Sequence, residues 1–123
     1  MTNFSFDIPF RLPSLNDYVD ECRTNRFKGA KGKKDTEHAI MWVLPRCKVE
    51  CPVFFEFTWY EQKKNRDKDN VAFAKKYILD SMQKSGMLPN DNNKYVLGFQ
   101  DRFVYGDGDK VKVVVRVGGE SEI

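Results

Sequence analysis

The segment from Val53 to Tyr60 constrains the fold of this chain more than any other part of the sequence. In an extended strand successive side chains point to opposite faces, so alternate residues share a face. One face carries only apolar residues, namely Val53, Phe55, Phe57 and Trp59. The other face mixes aromatic and polar residues, namely Phe54, Glu56, Thr58 and Tyr60. Because both faces are at least partly apolar, we predict that this strand is a central strand of a sheet.

The clearest helix is predicted from the apolar spacing that follows the central strand. Its apolar residues recur at steps of three and four, through Val71, Ala74, Ile78 and Met82. Asp69 or Asn70 can cap its beginning, because short polar side chains are favoured there. Gly86 is expected to end it, since glycine is favoured just beyond a helix.

The segment 14–34 is polar and basic and contains two glycines, so we predict a basic, mobile arm or long loop there. One helical turn can form within it near residues 15–18. A short helix is expected to follow, capped by Asp35 or Thr36 and ended by Pro45.

The remaining patterns predict strands. Residues 3–10 alternate between apolar and polar and indicate a first strand. Residues 95–105 and 110–117 are expected to form a closing hairpin around a turn at 107–108. The order of strand, arm, helix, strand, helix, strand and strand indicates the α+β class. We therefore predict a single domain, 1–123, with a mixed β-sheet and helices packed on one face.

Composition restricts where the protein works. No apolar run approaches the roughly 20 residues that a membrane helix needs. The first residues lack the pattern of a signal peptide, so we expect a cytosolic protein with no membrane partner. The cysteines, Cys22, Cys47 and Cys51, are expected to be reduced thiols. The net charge of +3 does not by itself indicate nucleic-acid binding.

The residues best suited to chemistry flank the clearest helix. Asp67 and Asp69 precede it, Asp91 follows it, and Lys76 and Asp80 share one of its faces. Carboxylate oxygens are ligands that Mg²⁺ prefers, and a lysine can stabilise the charge that develops during phosphodiester hydrolysis. Each group also has a structural explanation. The first two aspartates can cap the helix, the Lys76–Asp80 pair can be an exposed ion pair, and Asp91 can be a turn residue.

This segment resembles the RusA family of Holliday junction resolvases. The family signature is Asp-x-Asp-Asn, a helix with a lysine four residues before an aspartate, and an aspartate in the following turn. The chain has Asp67-Lys-Asp69-Asn70, Lys76-Tyr-Ile-Leu-Asp80 and Asn90-Asp91 in these places. Residues 8–16 are similar to the early Pro-Ser-x-Asn segment of the family. With the closing valine-rich strand, the resemblance spans nearly the whole chain.

The resemblance implies a role for each matching residue. Asp67, Asp69 and Asp91 would hold the metal and orient the attacking water, and Lys76 would be the catalytic lysine. The supporting residues would be Asn70, Lys75 and Asp80. The stretch between Asn70 and Lys76 is about three residues longer than in the shorter family members, which is nearly one helical turn. A shift of nearly one turn lets Lys76 still face the site. Lys75, its neighbour, is the second choice for the catalytic lysine.

Two basic groups are predicted to contact DNA phosphates, which lysine and arginine neutralise without reading bases. The group in the arm consists of Arg23, Arg26, Lys28, Lys31, Lys33 and Lys34. The group beside the acidic residues consists of Lys63, Lys64, Arg66 and Lys68. Solvated polar loops are the alternative explanation for both.

The resemblance implies a RusA-like fold and a Mg²⁺-dependent endonuclease, with Mn²⁺ as an alternative metal and no nucleotide cofactor. It would resolve four-way junctions and other branched DNA as a homodimer, because paired cuts need two active sites. Many members come from phages and prophages. The alternative is a non-catalytic protein that binds branched DNA through a degenerate site, since Asn90 replaces an acidic residue. A Ca²⁺-binding module around residues 90–93 is less favoured, because EF-hand spacing is absent.

Overall fold

The strand predicted to be central, Val53 to Tyr60, lies inside the sheet. The computed structural model describes residues 3–49 and 52–118. Their elements are, in chain order, β1 (Phe4–Ile8), α1 (Leu15–Thr24), α2 (Arg26–Val43), β2 (Val53–Glu61), α3 (Lys68–Ala72), α4 (Lys75–Lys84), β3 (Val96–Tyr105) and β4 (Lys110–Val117). The sheet order is β1-β4-β2-β3, with β2 parallel to β3 and antiparallel to β4. β2 therefore has a hydrogen-bonded neighbour on each side.

The core lies between the sheet and the helices that cover one of its faces. In β2 the row that includes Phe55, Phe57 and Trp59 is buried, and α4 supplies Ile78 and Met82 to the same cluster. β4 adds Val111, Val113 and Val115. The opposite row of β2 is half-buried except for a buried Phe54. These features confirm the α+β class, the mixed sheet and the placement of helices on one face.

The predicted loop at 14–34 is wrong, because this segment forms α1 and the first half of α2. Ser14 begins α1 with a reciprocal capping box: its Oγ accepts from the Asp17 N–H, and the Asp17 carboxylate accepts from the Ser14 N–H. Asn25 ends α1 and caps α2, where its side chain accepts from the Phe27 and Lys28 N–H groups. The predicted cap at Asp35 or Thr36 is also wrong, since both lie within α2. The polar residues that cap these two helices are of the same types that are common in loops, so composition alone does not distinguish the two structures.

Gly29 serves helix packing rather than mobility. A Cβ atom at this position would lie 2.5 Å from Cys22 Sγ and 3.1 Å from the Cys22 Cα. The glycine is therefore required because α1 and α2 approach each other closely there.

The helix predicted to be capped by Asp69 or Asn70 and ended by Gly86 is divided into α3 and α4, and the predicted cap is wrong because Asp67 occupies the N-cap position. At the break the Ala74 N–H donates to the Val71 carbonyl and the Lys76 N–H to the Phe73 carbonyl, at 3.1 and 3.0 Å. These three-residue bonds tighten the chain, and the apolar spacing continues across them. The predicted end is confirmed, because Gly86 has a φ of 82° and follows the last turn of α4.

The closing hairpin is wrong. β3 and β4 lie on opposite sides of β2, and the turn between them crosses the end of that strand. The Gly106 N–H donates to the Glu61 carbonyl, and the Asp109 carboxylate accepts from the Gln62 N–H. Turn residues indicate that the chain reverses direction, but not which strand it then pairs with. The valine row of β4 is buried by pairing with both β1 and β2.

The sequence predicted reduced cysteines and no membrane-spanning helix. Cys22 and Cys47 are free thiols, while Cys51 lies outside the described residues. None of the helices within 3–49 and 52–118 is long and apolar enough to cross a bilayer.

Candidate functional site

Asp67 and Asp69 lie where the loop after β2 enters α3, and both side chains are exposed. Asp67 occupies the N-cap position, yet within the described part of the chain its carboxylate makes no capping hydrogen bond. The Asp69 carboxylate accepts a local hydrogen bond, from the Asn70 N–H at 3.0 Å. Capping therefore does not explain Asp67, and its carboxylate is accessible to a cation.

Each of the two aspartates borders a shallow groove beside the beginning of α3. Asp69 is among the residues that line a groove of about 470 Å³, together with Lys75 and Asp101. Asp67 is among those that line a groove of about 310 Å³, together with Asn70 and Asp17. The two aspartates are only two residues apart, at the junction where the chain enters α3.

Asp101 borders the groove of Asp69, and the sequence motifs did not reveal it. It lies in the inward row of β3, and the sheet register places it opposite Phe57. Its Oδ1 accepts a hydrogen bond from Trp59 Nε1 at 2.8 Å, and its Oδ2 accepts one from Lys75 Nζ at 2.7 Å. One signal was visible in the sequence: a single carboxylate in an otherwise aromatic inward row, which requires a buried donor.

Lys76 belongs to a different cluster of charges. Its Nζ lies 3.4 Å from Asp80 Oδ1 and 3.8 Å from Asp91 Oδ2. The structure therefore brings Lys76, Asp80 and Asp91 together. It is Lys75, however, that borders the groove of Asp69.

The acidic residues offer Mg²⁺ suitable atoms without forming a complete cage. Across residues 3–49 and 52–118, no three His, Cys, Asp or Glu side chains lie close enough together to hold a metal ion. Mg²⁺ keeps several waters and is usually bound by one or two carboxylates together with substrate phosphates. Asp67 and Asp69 meet this smaller requirement by donor type and exposure. Asp91 instead faces the Lys76 ammonium.

Eight of the ten basic residues predicted to contact DNA are exposed: Arg23, Arg26, Lys28, Lys31, Lys34, Lys63, Lys64 and Lys68. Lys64 and Lys68 lie over the ring of Tyr105, at 5.1 and 5.5 Å from its centroid. Lys68 also lies 5.7 Å from the Phe103 centroid and borders the groove of Asp69. Cations held over aromatic rings therefore adjoin this groove.

Arg66 is bound within the protein. Its Nε and Nη2 donate to the two oxygens of Glu61 at 2.8 and 2.6 Å, and its Nη1 donates to the Leu12 carbonyl at 3.1 Å. Both side chains of the ion pair are largely buried. The guanidinium is thus committed to internal partners rather than presented to a ligand.

Lys33 is also paired internally, between α2 and α4. Its Nζ lies 3.3 Å from Asp80 and 3.7 Å from Glu37. Partial burial alone would lower the pKa of Lys33, but the hydrogen bond and charge of Asp80, together with the charge of Glu37, outweigh it and raise that pKa. Lys33 therefore stays protonated and links the two helices.

Neither the scan against protein-family models nor the search of curated proteins finds a match for this chain. The resemblance to the RusA family thus depends on the motif residues and remains a hypothesis.

Proposed function

We propose that this protein is a Mg²⁺-dependent endonuclease that cuts Holliday junctions and other branched DNA. The family resemblance supplies the hypothesis, and one structural observation carries it. Asp67 stands at the N-cap of α3 with an exposed carboxylate that makes no capping bond within the described residues. A helix that needed this aspartate only for stability would use that oxygen.

The proposed metal ligands are Asp67 and Asp69, completed by water and a DNA phosphate. The chemistry that Mg²⁺ supplies when bound is polarisation of the phosphoryl oxygens and a lower pKa of the attacking water. Lys75 borders the same groove as Asp69 and can neutralise charge on a phosphate placed there. In this proposal Asp80 and Asp91 hold the Lys76 ammonium between their carboxylates.

The exposed lysines around Asp69 would offset the repulsion between the acidic site and DNA. Lys63 and Lys64 lie in the loop before α3, Lys68 is the first residue of α3, and all three are exposed. Such residues hold the backbone and position a duplex without sequence specificity. The basic residues of α1 and α2 would extend this contact along the duplex arms.

We also propose that the enzyme acts as a homodimer, because symmetrical cutting of a four-way junction needs two sites related by a twofold axis. Its location would be the cytosol, and that of a bacterial host if a phage or prophage encodes it. Mn²⁺ would also support cleavage in place of Mg²⁺, and no nucleotide cofactor would be needed.

The second candidate function is a non-catalytic protein that binds branched DNA. The observation favouring it is that Asp67, Asp69 and Asp91 do not form a group that can hold a metal within the described ranges. In this case the exposed basic residues would bind the junction, and the acidic residues would be what is left of a metal site that no longer functions.

Cleavage of a synthetic four-way junction separates the two candidates. Each strand is labelled in turn, and cleavage is compared in Mg²⁺, Mn²⁺ and EDTA beside a linear duplex of the same sequence. The endonuclease should make paired, metal-dependent nicks across the junction and leave the duplex intact. Tight junction binding without cleavage in either metal would support the second candidate and overturn the first.

The Asp69→Asn variant tests the assignment of the site. It should lower the cleavage rate at least about 100-fold, because one oxygen ligand becomes a neutral amide. Junction affinity should stay equal or rise, since a negative charge near the phosphates is lost. Asp107→Asn is the matched control, because this exposed aspartate lies in the turn between β3 and β4. Equal cleavage by wild type and the Asp69 variant would contradict the assignment.

A further inference from the structure

Asp101 occupies a position that the proposed chemistry leaves unexplained. It is a carboxylate on the helix-covered side of the sheet, between Phe99 and Phe103 in the inward row of β3. Its side chain is about three-quarters buried, with 25% of its surface exposed. A charge in such a place requires donors that compensate for its lost hydration.

Both oxygens of Asp101 are already committed. The indole of Trp59, which is 1% exposed, donates to Oδ1 at 2.8 Å. A buried indole N–H needs an acceptor, so this bond determines how the carboxylate is turned. Oδ2 is then directed towards the Lys75 ammonium at 2.7 Å.

Lys75 is held at three points rather than one. Besides the ion pair with Asp101, its ammonium lies 4.8 Å from the Phe99 centroid and 5.7 Å from that of Phe57. The Asp101 carboxylate and both aromatic rings belong to strands of the sheet. The Lys75 ammonium is therefore held against the sheet by three neighbouring groups. Its neighbour Lys76 instead meets Asp80 at the (i, i+4) position of α4.

We infer that Lys75 is the lysine that contacts the phosphate being cut, and that Asp101 is a positioning residue acting through it. This inference rests on the proposed endonuclease function. The groove that Lys75 and Asp101 share with Asp69 places a cation and a candidate metal ligand on the same surface. Asp101 is assigned to positioning rather than to metal binding, because each of its two oxygens already accepts a hydrogen bond, one from Trp59 and one from Lys75. A fixed ammonium stabilises developing charge better than a freely rotating one, because it needs no reorganisation during the reaction.

The test uses the full-length protein in single-turnover cleavage of a saturating four-way junction. Asp101→Asn keeps an oxygen that can accept from Trp59 but removes the charge that holds Lys75. The rate should fall about 10- to 100-fold, as for other residues that orient a functional group, while the junction Kd changes less than about twofold. Asp101→Glu should recover part of the lost rate.

A double variant distinguishes positioning from general damage. If Asp101 acts only through Lys75, then Lys75→Ala with Asp101→Asn should be no slower than Lys75→Ala alone. The tryptophan emission maximum and the Tm of Asp101→Asn should stay close to those of wild type. Glu56→Gln is the matched control, because Glu56 pairs with Arg116 on the uncovered face of the sheet and is 21% exposed. It should cut at the wild-type rate.

Four results would overturn the inference. The first is an Asp101→Asn variant that cuts as fast as wild type. The second is a double variant whose fall in rate equals the product of the falls in the two single variants. The third is recovery of the Asp101→Asn cleavage rate by more Mg²⁺, which would make Asp101 a metal ligand. A wild-type protein that cuts nothing in Mg²⁺ or Mn²⁺ would remove the proposed function and this inference together, whereas the first three results leave that function intact.

Discussion

Replacing Arg66 by alanine should destabilise the protein far more than replacing any exposed lysine near it. The guanidinium donates to both oxygens of Glu61 and to the Leu12 carbonyl. The Arg66 and Glu61 side chains are only 11% and 6% exposed. Without the arginine, the Glu61 carboxylate would remain buried and unpaired.

The expected cost follows from this geometry. Breaking a buried, hydrogen-bonded ion pair from one side costs about 3–5 kcal/mol. Two hydrogen bonds to a charged group, at about 1.5–3 kcal/mol each, give a similar sum. With a urea m-value of roughly 1.5 kcal/mol/M, the unfolding midpoint of Arg66→Ala should fall by about 2–3 M.

Equilibrium urea unfolding, followed by tryptophan fluorescence, measures this shift. Lys63→Ala is the control and should change the unfolding free energy by less than about 0.5 kcal/mol, because Lys63 is exposed. The double variant Arg66→Met with Glu61→Leu should recover more than half of the loss, since no buried charge then lacks a partner. A midpoint shift below about 0.5 M for Arg66→Ala would refute the reasoning.

Three further changes test other parts of the structure. Ser14→Ala should lower the unfolding free energy by about 1 kcal/mol in urea, because α1 loses half of its capping box; an unchanged midpoint would show that the cap is not needed. Gly29→Ala should cost about 1–3 kcal/mol, since its methyl group would lie 2.5 Å from Cys22 Sγ, and adding Cys22→Ala should recover part of this. Burial raises the pKa of Tyr77 to about 12, so its hydroxyl ionises in the unfolded chain near pH 10 but not in the folded protein. Stability should therefore fall between pH 10 and 12, and Tyr77→Phe should reduce that slope; equal slopes in urea titrations would contradict the assignment.

Local patterns in the sequence predicted several elements correctly. One apolar face and one partly apolar face of β2 indicated an interior strand, and the spacing from Val71 to Met82 indicated helix as far as Gly86. These patterns were reliable because they reflect burial, which repeats with the period of each element. The helical structure of residues 15–34 was not predicted beyond one turn, since the polar and glycine residues of this segment resemble those of a loop, whereas the end of α2 before Pro45 was predicted.

The candidate site could be predicted only in part. The pair Asp67 and Asp69 is visible as a motif, because both residues lie at one junction in the sequence. Asp101 is 32 residues beyond Asp69 and belongs to no motif, so nothing local connects it with Lys75. Which of the two adjacent lysines borders the groove depends on the tight turn at Phe73 and Ala74, which the apolar spacing conceals.

The sequence by itself determined the α+β class, the interior strand, the helix end at Gly86 and the presence of an acidic motif, because each depends on residues near one another along the chain. Only the tertiary structure decided the strand order β1-β4-β2-β3, the pairing of Arg66 with Glu61 and the ion pair between Lys75 and Asp101. These arrangements depend on how the strands and helices pack together, which brings residues far apart in the sequence into contact. A buried charge then pairs with the oppositely charged group that this packing places within hydrogen-bond distance.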